Sequence, residues 1–134
     1  MCAELACVAK PALEFFDVQS LPWRTVAGER GVSERVLAQD PASGLLTRLV
    51  RWDPGLTTSS AGPVAHEYFE EVLVLEGSLH DLSLNQTFGA GYFACRPPGM
   101  VHGPWETAEG CTMLETRYET RGEASTAEAP TTAV

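Results

Sequence analysis

Glycines and prolines cut the apolar runs of this chain short. No stretch of ten or more residues carries the i, i+3, i+4, i+7 repeat of a core-facing helix. Short runs that alternate or are continuously apolar recur instead, each ending at a turn signal. Val32–Ala38, Leu45–Trp52, Glu70–Leu75, Ser78–Leu84, Tyr92–Arg96 and Cys111–Tyr118 read as strands, with Glu14–Val18 as a further short one. Gly28–Gly31, Asp40–Gly44, Asp53-Pro54-Gly55, Glu76-Gly77, Asn85–Gly91 and Pro97-Pro98-Gly99 separate them. Many short strands at this spacing imply an all-β sandwich or barrel. In Leu45–Trp52 the alternation puts Leu46, Arg48, Val50 and Trp52 on one face.

A chain of 134 residues fits one domain with one core. We expect a flexible N-terminus over residues 1–12, a barrel over 13–120 and a disordered tail over 121–134, where GEASTAEAPTTAV offers almost nothing to bury. The formal charge of −9 argues against a nucleic-acid or anionic-membrane partner, both of which need a basic face. No window approaches the roughly 18 apolar residues of a membrane span. The opening MCAELACVAKP has no basic region leading into an apolar core, so a cytoplasmic protein is expected. The four cysteines form no CxxC pair and read as free thiols, Cys95 and Cys111 as core filler.

The chemistry rests on three histidines, His66, His80 and His102, and on the acids beside them. Imidazole and carboxylate together suit divalent iron, manganese, nickel or zinc, and two histidines with one acid form the facial triad of non-haem iron sites. His66 and Glu70 are four residues apart. On a straight strand their Cα atoms would stand about 13 Å apart, too far to share one ion. His66 is therefore expected at a bent entrance to the strand, with the chain turning at Tyr68-Phe69.

Alternation does not choose between Glu70 and Glu71. If Glu76-Gly77 is a two-residue hairpin loop, Leu75 pairs with Ser78, Val74 with Leu79 and Leu73 with His80. His80 then shares the face of Glu71, so Glu70 and His80 exclude one another as ligands.

The segment HEYFEEVLVLEG, followed by a glycine turn and CRPPGMVHG, resembles the two motif boxes of the cupins. The similarity is greatest to ChrR-type cupins, through GVSERVLAQDPASGLLTRLVRWDPG, EEVLVLEG and EGCTMLE, and it spans most of residues 20–118. The resemblance implies a jelly-roll β-barrel. It implies a divalent metal, Fe(II) or Zn(II), held by His66, Glu70 and His102. The first histidine of the family's first box falls on Val64, which cannot bind a metal, so three of four family ligands remain. Glu67 beside His66 is a weaker candidate.

Tyr68 and Arg96 flank the boxes and are expected to act on a substrate. A strand arginine, Arg48 or Arg96, can clamp a carboxylate or enolate of a substrate, or stand as a surface charge paired with one of the chain's many acids. The resemblance implies a small-molecule enzyme: a dioxygenase acting on a chelating ketone or enol, or alternatively a polyketide cyclase or isomerase. ChrR-type cupins also serve as the metal-binding lobe of an anti-sigma factor that carries an additional zinc domain. The N-terminal residues here hold no His/Cys pattern for such a domain, which favours the enzyme reading. A homodimer formed through an edge strand is expected.

Overall fold

The structure, a computed structural model, describes residues 10–120. The expectations for Cys2 and Cys7, and for most of the flexible N-terminus and the tail, lie outside them. Eight strands follow in order: β1 Arg24–Thr25, β2 Val32–Gln39, β3 Leu46–Trp52, β4 Phe69–Asp81, β5 Gln86–Gly89, β6 Phe93–Arg96, β7 Trp105–Glu106 and β8 Cys111–Tyr118. All pairings are antiparallel, and the main path runs β1-β2-β3-β8-β4-β5. Among the described residues the one helical piece is a 3-10 turn at Val18–Ser20.

β4 is the axis of the fold. Its first half lies between β8 and β6, and its second half pairs with β5 and β7. One strand thus passes from one sheet into the other, which wraps the pair into a barrel. The inner wall is read from the period of two. Arg48 and Val50 on β3 stand opposite Glu115 and Met113 on β8. Glu70 and Val72 on β4 stand opposite Arg117 and Glu115. Val32, Val50, Val72, Val74, Leu79, Cys111 and Met113 form the buried apolar cluster, with Trp52 and Trp105 packed against it.

Two sequence expectations are corrected here. Glu14–Val18 is not a strand: residues 11–17 have no regular structure and Phe15 is fully exposed. Glu76-Gly77 is not a hairpin turn. β4 runs straight through it, and the register against β8 shifts by one residue between Val74 and Glu76. This is a β-bulge. Gly77 takes φ +75°, and a Cβ there would stand 2.0 Å from the Gly110 carbonyl oxygen, so only glycine fits. The bulge exchanges the two faces of the strand. Glu70, Val72 and Val74 are buried before it, Leu79 and Asp81 after it. His80 therefore points away from the interior, as expected, but because of a bulge and not a turn. Its true cross-strand partners are Thr87 and Glu106, and its Nδ1 lies 2.8 Å from the Thr87 hydroxyl.

Candidate metal centre

The two motif segments meet through backbone bonds. Val64 and His102 form an isolated antiparallel bridge, and the Gly99 N–H donates to the His66 carbonyl at 2.8 Å. The Pro97-Pro98-Gly99 corner thus holds the chain beside His66. The chain bends at Glu67 and Tyr68 before β4 begins at Phe69, so His66 stands at a bent strand entrance. One ligand atom from each of His66, Glu70 and His102 lies within 4.8 Å of the others. An ion with bonds of about 2.1 Å holds any two ligand atoms within about 4.2 Å, so the cluster closes on an ion with small side-chain shifts.

Three observations fit a metal here. His102 is buried, and neither ring nitrogen has a hydrogen-bond partner among the described residues. Such nitrogens are costly unless something meets them. Burial, helped by the charge of Arg96, drives the His102 pKa down to about 4 and keeps the imidazole in its neutral, ligating form at neutral pH. Finally, Glu70 is buried, and one of its oxygens lies beside His66. Oε1 accepts from Arg96 at 2.7 Å, and Oε2 lies 3.5 Å from His66 Nε2. Neutral nitrogen and carboxylate oxygen donors suit Fe(II) or Zn(II).

The other expected residues take different positions. Arg96 lines the cavity, but the carboxylate it clamps belongs to the protein, and its guanidinium lies 5.1 Å from the Trp105 ring centroid. Arg48 is likewise engaged, bonded to Glu115 Oε2 and paired with Glu34. Burial opposes its charge, but the two acids outweigh that and raise its pKa. Tyr68 does not line the cavity. It stacks on His66, with centroids 4.7 Å apart and planes at 6°. Burial pushes its phenol pKa upward. Cys95 is exposed and not core filler, because β6 turns it outward, whereas Cys111 is buried.

Arg117 was not anticipated. It follows Cys111, Met113 and Glu115 on the inward face of β8, pairs with Glu115, and lies 5.2 Å over the Tyr68 ring. The period-two alternation of β8 was the available signal. The wall beside His66 is therefore an ion network, Glu34–Arg48–Glu115–Arg117.

An antiparallel β-barrel with two imidazoles and a carboxylate gathered at its inner wall is the arrangement of the cupin class. A family profile described as the ChrR cupin-like domain matches residues 12–120. The chain belongs to this family. No curated protein matches the sequence. Among solved structures, the chain is similar to the anti-sigma factor ChrR of Rhodobacter sphaeroides, solved with SigE. They share 25% identity over 76% of this chain and 52% of that one, with a TM-score of 0.55. It is also similar to the polyketide cyclase RemF from Streptomyces resistomycificus, at 21% identity, 83% coverage of both chains and TM-score 0.62. A third similar structure is an acetylacetone dioxygenase from Acinetobacter johnsonii, at 14% identity, 80% and 74% coverage and TM-score 0.64. At these identities the structures share a fold with this chain. Among the described residues no helix is long and apolar enough to cross a membrane.

Proposed function

We propose that this protein is a metal-dependent cupin enzyme that binds a chelating ketone or enol at His66, Glu70 and His102 and acts on it as a dioxygenase. The observation that carries the reading is the buried His102, whose two unpartnered nitrogens lie beside a carboxylate and a second imidazole. When bound, a divalent ion supplies a Lewis acid that acidifies a carbon next to a carbonyl and, if it is iron, a centre for O₂ chemistry. Three protein ligands leave positions free for a bidentate substrate.

The chain's own residues hold and shield the site. Arg96 fixes Oε1 of Glu70 and so leaves Oε2 to the ion side. Tyr68 holds the plane of His66 by stacking. Both are positioning residues in this reading. Arg48, Arg96 and Arg117 balance Glu34, Glu70 and Glu115, so a divalent ion makes the wall cationic and favours an enolate over its neutral parent.

The test is metal analysis of protein purified without added chelator or metal, followed by oxygen uptake on β-diketones. About one equivalent of iron with O₂ consumption is the expected result. Zinc with ring closure or isomerisation and no O₂ uptake would move the protein to the cyclase reading, for which the similarity to RemF is the supporting observation. Protein free of metal after that purification would overturn both. A homodimer through the open edge of β1 belongs to the same proposal and is tested by sedimentation.

A further inference from the structure

The barrel interior has two lobes, each of about 260 Å³, and Val72, Leu79, Arg96 and Trp105 line both. His66 and Glu70 face the first lobe, with the ion network behind them. His102 faces the second. An ion held by all three would lie at the waist, where the two lobes meet. The lobes differ in chemistry. The first mixes the charged groups of Arg48, Arg117, Glu70 and Glu115 with the apolar side chains of Val32, Val50, Trp52 and Met113. The second is walled by Val74, Leu79 and Phe88 and opens to solvent between Leu84, Tyr92, Phe93, Met100 and Val101. Each of these five is between 48% and 66% exposed. Large apolar side chains that gather around one opening, and not singly over the surface, mark a binding mouth. A wall that leads from such a mouth to a metal site is the shape expected for a ligand with one apolar end.

Resting on the metal reading above, we infer that the second lobe is the subsite for an apolar tail of the substrate. The ligand class is a chelating ketone or enol whose head binds at the waist and which carries one aromatic ring or a short branched alkyl group. The volume sets the limit. At about 260 Å³ the lobe stands near the lower end of ligand-pocket volumes, which suits a small apolar group. The first lobe also has apolar walls at Val32, Val50 and Met113, but it sets them among ion pairs, which an apolar tail would strip of water without replacing it.

The experiment uses the full chain loaded with its metal under nitrogen. Two probes share one head, acetylacetone and 1-phenylbutane-1,3-dione, and binding is read by difference absorbance and tryptophan fluorescence. Burying one ring should make the phenyl compound bind roughly tenfold tighter or more. Leu84→Ser and Tyr92→Ser lie on the exposed rim and away from the ligand residues. Each should cut that preference at least about threefold while leaving metal content and acetylacetone affinity unchanged. Bound metal with equal affinities, or rim variants that keep the full preference, would overturn the tail subsite and leave the metal reading standing. A rim variant that changes only the oligomeric state in light scattering would show a protein contact there and also overturn it. A chain that takes up no metal would overturn both readings, and metal content is measured first to separate these cases.

Discussion

Val64 and His102 face each other across an isolated bridge and exchange both backbone hydrogen bonds, at 2.8 and 2.9 Å. The residue standing where the family carries its first box histidine is thus held directly beside a proposed ligand, and it lines the same cavity as His66 and Glu70. In the proposed three-ligand site the missing fourth ligand is a matter of the valine side chain and not of a displaced backbone. Val64→His should therefore supply a fourth ligand without refolding the segment, and Val64 is 36% exposed, so the imidazole has room. Metal affinity measured by chelator competition should rise on the order of tenfold or more. Unchanged affinity would mean that the bridge points this position away from the ion.

Much of this arrangement was legible in the sequence, for a physical reason. β8 was read as Cys111–Tyr118, its observed limits, because its alternation is strict and glycine marks its start. The bent entrance at His66 followed from the length of a strand residue once His66 and Glu70 were taken to share one ion. The error at Glu76-Gly77 was equally physical. A hairpin and a bulge both ask for a glycine at positive φ, and what decides is the Gly110 carbonyl on another strand, which no local window contains. β5 was read as part of a turn because Gln86–Gly89 is too short and polar to alternate, and it becomes a strand only through β4. For Arg48 and Arg96 a substrate clamp stayed open beside pairing with one of the chain's acids, because the partners, Glu115 and Glu70, are distant in sequence.

Replacing His102 should separate the metal from the fold. His102→Ala removes a proposed ligand and should abolish stoichiometric metal, read by elemental analysis. It also removes two buried nitrogens without partners, whose burial costs about 1–3 kcal/mol. That gain offsets lost packing, so the urea stability of the metal-free protein should change by no more than about 1 kcal/mol. His80→Ala is the control. Its ring is bonded to Thr87 on the outer side of β4, and metal content should be unaffected. Loss of the ion from His80→Ala would reverse the two faces of that strand.

Two glycines with the same backbone conformation should behave differently. Gly44 has φ +79° and nothing within 4 Å of a built Cβ, so Gly44→Ala should cost only the roughly 1–2 kcal/mol of left-handed backbone. Gly77 has φ +75° and the Gly110 carbonyl in the way, so Gly77→Ala should cost more than about 4 kcal/mol or leave no folded protein. Chemical denaturation of the pair measures the difference. Equal costs would remove the contact with Gly110 as the reason for the bulge.

The ion network behind His66 is predicted to be unequal in its members. Arg48 bonds both Glu115 and Glu34 and is 7% exposed, so Arg48→Ala leaves Glu34 without its partner and the buried Glu115 with Arg117 alone, and should cost about 3–5 kcal/mol in urea denaturation. Arg117 has one acidic partner, and its side chain is 27% exposed. Glu115 keeps Arg48 when Arg117 is lost, so Arg117→Ala should cost less than half as much. The reverse order would mean that Arg117 is the anchor of the network.

The two described thiols differ in burial, and that difference sets their reactivity. Cys111 is 3% exposed, and burial, with the charge of Glu109 added, raises its pKa to about 11. Cys95 is exposed on β6. At pH 8, iodoacetamide followed by peptide mass mapping should modify Cys95 readily and Cys111 only after denaturation, since the thiolate is the reactive form. The same shift has a thermodynamic sign. Below the ordinary thiol value of 9.0 both folded and unfolded chains hold the proton. Between that value and about 11 the unfolded chain releases it while the folded chain retains it, so Cys111 withdraws stability as pH rises through this window. Cys111→Ala, weaker at pH 7 for lost packing, should fall less steeply than wild type from pH 9 to pH 10.5 in urea melts. Parallel curves would show that the thiol ionises as freely in the fold as outside it.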